Sequence, residues 1–188
     1  MAHDECLRTI LAEPLNYLHP QRLAIPAGFD GTEVRERLNR IVLEGLGLQG
    51  PWPASSLTAV AARWVRHWRQ LPYIATLMGA YRLMPDLARG AALRCLPLPV
   101  RRFAGYSHGA RSGLPMEPSP VSQEQVQAAG LNALWSWQEQ IPEVLLQRLL
   151  LQFSEPVVRL HKQWPVTDPD TALFFMAVQH ARHYPNPD

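Results

Sequence analysis

The chain has 188 residues, a formal net charge of +2 and an isoelectric point near 8.7. This length suits one domain with a full core, and so mild a positive charge argues against nucleic acid as the main partner. The two cysteines, Cys6 and Cys95, are too few for a disulfide framework and indicate a reducing compartment. The sequence therefore predicts one cytosolic domain over residues 1–188.

Neither a signal peptide nor a membrane span is expected. The first six residues are acidic rather than basic, which argues against a signal peptide. The densest apolar stretch, Ala172 to Val178, is far shorter than the ~20 residues of a membrane span. The sequence thus predicts no direct membrane insertion.

The spacing of apolar residues predicts an all-α fold. Apolar residues recur every three or four positions, and the alternation typical of strands is nearly absent. The 18 prolines are about twice the usual ~5% share, and most lie between helical patterns. We therefore expect a compact single domain of short helices punctuated by prolines.

Two helices are predicted in the N-terminal part. The first covers about Asp4 to Ala12. The second starts at Asp30-Gly31-Thr32 and stops at Gly47, and its apolar stripe lies opposite a charged face. Three prolines make the stretch between these helices irregular.

A third helix, capped by Ser55 or Ser56, has two distinct faces. Arg63, Arg66 and Arg69 share the basic face. The apolar face is formed by Leu57, Val60, Ala61, Trp64, Trp68 and Leu71. This phase predicts that the two tryptophans are in the core and that the arginines are at the surface.

Prolines mark the starts of the next two helices. Pro72 suits the first turn of a helix through Tyr81, and Pro85 suits that of a helix through Arg94. The segment from about 103 to 121 is rich in glycine and proline, which predicts one long irregular loop.

A helix rich in alanine and tryptophan follows this loop. Ser122, with Gln125 three residues later, predicts a capping box at its start. Trp135 and Trp137 lie two positions apart, so one helix can bury both only if it is covered on more than one side. A central helix is predicted.

The C-terminal part contains further helices. Pro142 is expected to open a leucine-rich helix. The segment from Val166 to Pro169 breaks the pattern before a last helix from Asp170 to about Arg182, and residues 184–188 form a frayed tail.

One loop matches a catalytic motif by its letters. Residues Gly105-Tyr106-Ser107-His108-Gly109 fit the Gly-x-Ser-x-Gly pattern of serine hydrolases, which places the serine on a sharp turn from strand to helix. The sequence predicts no such strand. A serine hydrolase is therefore the less favoured alternative, and no catalytic residue or cofactor is predicted.

The histidine pair His180 and His183 lies one helical turn apart, with Asp168 and Asp170 upstream. A metal site needs a third and a fourth ligand in a fixed geometry, and a pair near a chain end supplies only two. We therefore predict no metal site.

Four other reactive side chains have structural interpretations. His67 and His161 lie beside basic residues, which suits a solvated surface. Cys95 near a helix end is expected to be buried and inert. The His19 ring, between Leu18 and a proline, is expected to bond to the backbone of a turn.

The basic face of the third helix suits either of two partners. Arginines with stacked tryptophans bind single-stranded nucleic acid, so a helical nucleic-acid-binding or regulatory module is the first alternative. Since Trp64 and Trp68 are predicted on the apolar face, an acidic protein surface is the preferred partner. Arg101 and Arg102, before the glycine loop, are the second choice for such a contact.

The C-terminal half carries a family resemblance. The segment Ala129 to Trp137, then Pro142 and the leucine-dense run Val144 to Phe153, resembles the type III secretion accessory proteins of the SctK family (YscK and HrpD types). The segment Phe103 to Pro120 departs from that pattern. Shorter similar segments are Pro14 to His19, Leu23 to Pro26, Leu77 to Leu83, Ala91 to Cys95 and Ser154 to Pro156, with the helix that ends at His180.

The resemblance implies a non-catalytic adaptor of the sorting platform, located in the cytoplasm at the inner-membrane face of a secretion apparatus. In that family the protein links the cytoplasmic domain of the inner-membrane ring protein (SctD type) to the C-ring/pod protein (SctQ type). No nucleic-acid partner is expected. The residues predicted to contact partners are Arg63, Arg66, Arg69, Arg101, Arg102, Tyr17 and His19, with Tyr17 to Pro26 as the alternative surface.

Overall fold

The computed structural model describes residues 2–26, 28–29, 31–48, 57–89, 91–106 and 120–185. Within these ranges the chain forms ten α-helices, four short 3-10 helices and no strand, which confirms the all-α prediction. The α-helices are α1 (Ala2–Ala12), α2 (Thr32–Gly45), α3 (Ala59–Arg66), α4 (Leu71–Arg82), α5 (Met84–Arg89), α6 (Leu98–Ala104), α7 (Gln123–Trp135), α8 (Glu143–Leu151), α9 (Glu155–Gln163) and α10 (Thr171–His183). The 3-10 helices are Pro14–Asn16, Trp68–Gln70, Ala92–Cys95 and Gln138–Gln140.

Local capping explains several of these helix starts. The Ser122 hydroxyl accepts from the Gln125 amide at 3.1 Å, and the Gln125 side chain accepts from the Ser122 amide at 2.8 Å. This reciprocal pair confirms the predicted capping box. Asp170 caps α10 by accepting from the Leu173 amide at 2.9 Å, and Pro142 precedes the first residue of α8.

The start of α3 differs from the prediction. Its N-cap is Thr58, whose side chain accepts from the Ala61 amide at 3.1 Å. Ser55 and Ser56, the predicted caps, lie outside the described residues.

The middle of the chain contains more breaks than predicted. The helix predicted from Pro85 to Arg94 is interrupted, because α5 ends at Arg89 and Ala91 has a left-handed backbone with φ 55°. Helix α6, which the sequence did not predict, includes Phe103 and Ala104 from the segment expected to be irregular. Residues 107–119 of that segment are outside the described part of the chain.

The tryptophan helix ends earlier than predicted. Helix α7 stops at Trp135 with Ser136 as its C-cap, so Trp137 lies beyond the helix. Trp135 is half-buried, whereas Trp137 is buried. Val126 and the whole run from 128 to 134 are buried, so α7 is central to its part of the fold, as predicted. The reason differs from the predicted one, because this run makes the helix central and not the burial of both tryptophans on it.

The described residues group into two compact units. The first comprises residues 1–69 and 138–155, and therefore contains α1, α2, α3 and α8. In this unit α1 packs against α3 and α8. Leu7, Trp64 and Leu145 are among its buried apolar side chains.

The second unit comprises residues 70–137 and 156–188. Its central pair is α4 and α7, with α6 and α10 also packed on α4. A Cβ atom at Gly79 would lie 1.9 Å from the Val126 carbonyl oxygen, and one at Gly130 would lie 1.7 Å from the Ala75 carbonyl oxygen. The two backbones therefore cross in direct contact, which only glycine permits at these positions.

Candidate partner-binding surfaces

Helix α3 places the three predicted arginines away from the core. Trp64 and Trp68 are almost fully buried. Arg63 and Arg66 lie on α3, half-buried and exposed respectively, and Arg69 is exposed in the following 3-10 helix. This confirms the prediction that the tryptophans lie in the core and the arginines toward the surface. It also leaves neither tryptophan ring available to stack on a base, as the nucleic-acid alternative requires.

Tyr17 makes its contacts within the first unit. Its hydroxyl donates to the Ile10 carbonyl at 2.7 Å, and its ring lies edge-on to Trp68, with ring centroids 5.5 Å apart. Burial raises the pKa of Tyr17, which keeps the phenol protonated. These contacts fix the end of α1 to the segment that follows α3.

His19 occupies a turn, as the sequence predicted. Its Nδ1 accepts from the Gln21 amide at 3.3 Å, and its own amide donates to the Leu151 carbonyl at 2.8 Å. Arg22 extends this attachment by donating to the carbonyls of Leu150 and Phe153 at 3.1 and 2.6 Å. The segment 19–22 is therefore anchored to the C-terminal end of α8, whose last carbonyls need donors.

Arg101 and Arg102 lie in the last turn of α6, the first half-buried and the second exposed. Cations at a helix C-terminus gain about 0.3–1 kcal/mol from the helix dipole. This stabilisation accounts for the position of both arginines. The exposed side chain of Arg102 is accessible to a partner.

Two sequence-based interpretations are wrong. His161 is buried, with its ring 5.2 Å from the Trp135 ring, although the sequence placed it on a solvated surface. It lies one helical turn after the buried Val157, and that spacing is the signal for its burial. Cys95, expected to be buried, is exposed because it ends a short 3-10 helix rather than an α-helix.

The histidine pair of α10 bonds to backbone instead of sharing a ligand. His180 Nε2 donates to the Pro99 carbonyl at 3.0 Å, and His183 Nδ1 donates to the Gln179 carbonyl at 2.8 Å. No group of three or more His, Cys, Asp or Glu residues in the described ranges is arranged to hold a metal ion. Ser107 and the rest of the glycine motif after Tyr106 lie outside those ranges.

Sequence reasoning did not find a groove on α10. It has a volume of about 470 Å³ and is lined mainly by apolar and aromatic side chains; the lining residues are Tyr106, Phe175, Met176, Gln179, His180, His183 and Tyr184. The adjacent Phe174 and Phe175 could have indicated it, because one helix cannot direct both rings into the same core. Phe174 is indeed buried, whereas Phe175 is 39% exposed.

None of the described helices has the length and apolar character needed to cross a membrane.

A family model described as bacterial type III secretion apparatus protein (OrgA_MxiK) matches residues 7–183. Oxygen-regulated invasion protein OrgA from three Salmonella typhimurium strains, 14028s, SL1344 and LT2, is 34% identical over 179 residues, which cover 94% of this chain and 87% of OrgA. No solved structure matches the chain significantly. The resemblance to the type III secretion accessory family is thereby confirmed.

Proposed function

We propose, on the premise that the chain belongs to the OrgA_MxiK family of bacterial type III secretion apparatus proteins, that it is a non-catalytic adaptor of the sorting platform. It would link the cytoplasmic domain of the inner-membrane ring protein (SctD type) to the C-ring/pod protein (SctQ type). Its place would be in the cytoplasm, peripheral at the inner-membrane face of the apparatus.

The observation that carries this proposal is the extent of the family match. Residues 7–183 include nearly all of both compact units, so both units belong to the part of the chain that the family shares. The described residues of that part are helical, and a scaffold that holds two proteins together is a function that helical surfaces alone can perform.

The basic edge of α3 is our candidate for the ring-protein contact. Arg63, Arg66 and Arg69 are three like charges within seven residues, and like charges one helical turn apart repel one another. An acidic surface on the ring protein would be attracted to this edge, and such attraction mainly affects orientation and association rate. Arg101 and Arg102 are the second choice for this contact.

The test is a paired charge reversal in the full-length chain. The double variant Arg63→Glu/Arg66→Glu should bind the ring protein's cytoplasmic domain about tenfold more weakly at low salt. The loss should shrink as salt rises, because screening removes the attraction. Binding to the pod protein should not change, and titration calorimetry at two ionic strengths measures both affinities.

Arg37→Glu/Arg40→Glu is the matched control, because it makes the same charge change at two exposed positions of α2 in the same unit. Thermal melting establishes that both variants are folded. Equal ring-protein affinity for the two double variants would move the interface away from α3. An unmodified chain that binds neither partner protein would refute the adaptor function itself.

A further inference from the structure

The α10 groove is a mainly apolar surface in the second unit. Tyr106, Phe175 and Tyr184 are 45%, 39% and 42% exposed. The groove follows two rows along α10: Phe175 and Gln179 are one helical turn apart, and so are Met176, His180 and Tyr184. Rows with this spacing are the surface against which another helix packs.

The floor of the groove is fixed by the fold. The buried His180 is held by its hydrogen bond to the Pro99 carbonyl. Its ring contacts Phe103, Tyr106 and Tyr184, with centroid distances of 5.1, 5.9 and 4.8 Å. A surface whose aromatic rings are already ordered loses little conformational entropy when it binds a partner.

The rim of the groove is basic. Arg182 and His183 are exposed in the last turn of α10, and Arg102 is exposed in the last turn of the neighbouring α6. Neither helix contains an aspartate or a glutamate.

We propose that the α10 groove binds an acidic amphipathic helix of the C-ring/pod protein, a proposal that rests on the adaptor function above. The apolar face of that helix packs on Phe175, Tyr106 and Tyr184, while its acidic residues face Arg182 and Arg102. The charge of the rim selects an acidic partner, and the rows on α10 select a helical one. An adaptor requires separate surfaces for its two partners, and the α3 edge, assigned to the ring protein, belongs to the other unit.

The experiment measures binding of the full-length chain to purified pod protein and, separately, to the ring protein's cytoplasmic domain. Phe175→Ser should weaken pod-protein binding about tenfold or more, because it removes a central aromatic anchor. Arg182→Glu should weaken it severalfold at low salt and less at high salt. Ring-protein affinity should stay the same in both variants.

Matched controls are Ile41→Ser, an equally drastic change at a residue that is 61% exposed on α2, and Arg159→Glu on an exposed position of α9. Both should bind pod protein like the unmodified chain. Arg182→Glu decides the question if Phe175→Ser fails to fold, because an exposed arginine can be reversed without disturbing the core.

The outcomes separate the groove from the adaptor function. If the unmodified chain binds both partners and both variants retain pod-protein affinity, the groove assignment is refuted and the adaptor function stands. A loss confined to ring-protein binding refutes the assigned occupant, and so does a change in self-association measured by sedimentation. If the unmodified chain binds neither protein, the adaptor function fails and this proposal fails with it.

Discussion

Each of the two compact units has a distinctive central contact, although both bury polar side chains. In the second unit, α4 and α7 cross with their backbones touching at Gly79 and Gly130, so shape complementarity determines the geometry. In the first unit, a buried arginine on α8 joins segments distant in sequence. Arg148 donates to the carbonyls of Leu11 and Leu48 at 3.2 and 2.6 Å.

The polar contacts of the first unit satisfy backbone groups at the ends of its elements. Helix ends leave terminal carbonyls without partners, and buried carbonyls need donors. The first unit supplies these donors with the long side chains of Arg148 and Arg22. The Asn39 side chain does the converse and accepts from the Leu15 amide at 3.0 Å. Charge in the sequence is therefore a poor guide to exposure in this unit, because its arginines serve both as surface charges and as buried donors.

The largest effect is expected at the glycine crossing. Gly79→Ala would place a methyl group 1.9 Å from the Val126 carbonyl oxygen and force the helices apart. We expect a loss of unfolding free energy at or above the upper end of the about 1–3 kcal/mol typical of overpacking. Urea denaturation of the unmodified chain and of Gly79→Ala measures this loss.

Gly45→Ala in α2 is the matched control, because a Cβ there meets nothing within 4 Å. Alanine favours helix over glycine by up to about 1 kcal/mol, so this variant should be neutral or slightly stabilised. A stability loss that is the same at Gly45 and Gly79 would contradict the close crossing of α4 and α7.

A smaller loss is expected when the buried donor of the first unit is removed. Arg148→Met retains much of the apolar side-chain volume but leaves the carbonyls of Leu11 and Leu48 without their donor. Hydrogen bonds to charged groups are worth about 1.5–3 kcal/mol each, and we expect a total loss of about 2–3 kcal/mol. Chemical denaturation followed by circular dichroism is the measurement.

Arg40→Met on the exposed face of α2 is the control and should change stability by no more than about 0.5 kcal/mol. If Arg148→Met is as well tolerated as Arg40→Met, the first unit does not depend on its buried cation. Its stability would then come from apolar packing, as in the second unit.

Features encoded locally were predictable from sequence. The all-α class, the Ser122 capping box and the starts of α8 and α10 depend on residues within one helical turn, and each is present in the structure. The burial of Trp64 and Trp68 likewise follows from periodicity within one helix and the turn after it.

Features that depend on distant segments were not predictable. The bonds of the buried Arg148 were not predictable, because the carbonyls that it contacts at Leu11 and Leu48 lie about one hundred residues away or more. Only its burial has a local signal, since Leu145 and Leu151 lie three positions before and after it. The α10 groove was missed for the same reason, since Tyr106 and Phe175 are adjacent only in the folded chain. The exposure of Cys95 depended on the break at Ala91, which no proline marks.

The smallest effect concerns pH and tests the burial of His161 in the second unit. Burial, with the nearby Lys162 charge, lowers the pKa of His161 to about 4, whereas an unfolded histidine has a pKa of about 6.5. Between these values the unfolded chain binds the proton more tightly, so the free energy of unfolding must fall as pH falls. The stability contributed by neutral His161 is thus complete above pH ~6.5 and is progressively lost toward pH ~4.

His161→Leu removes this titration and should flatten the pH dependence. We expect the unmodified chain to lose on the order of 2 kcal/mol more than the variant between pH 7.5 and pH 5, measured by urea denaturation at both values. His19 and His180, whose pKa values are also lowered by burial, are present in both proteins and cancel in the difference. Identical losses would mean that His161 binds a proton equally well in the folded and the unfolded chain, with its ring open to water. The burial of His161 against the Trp135 ring would then not hold in the folded chain.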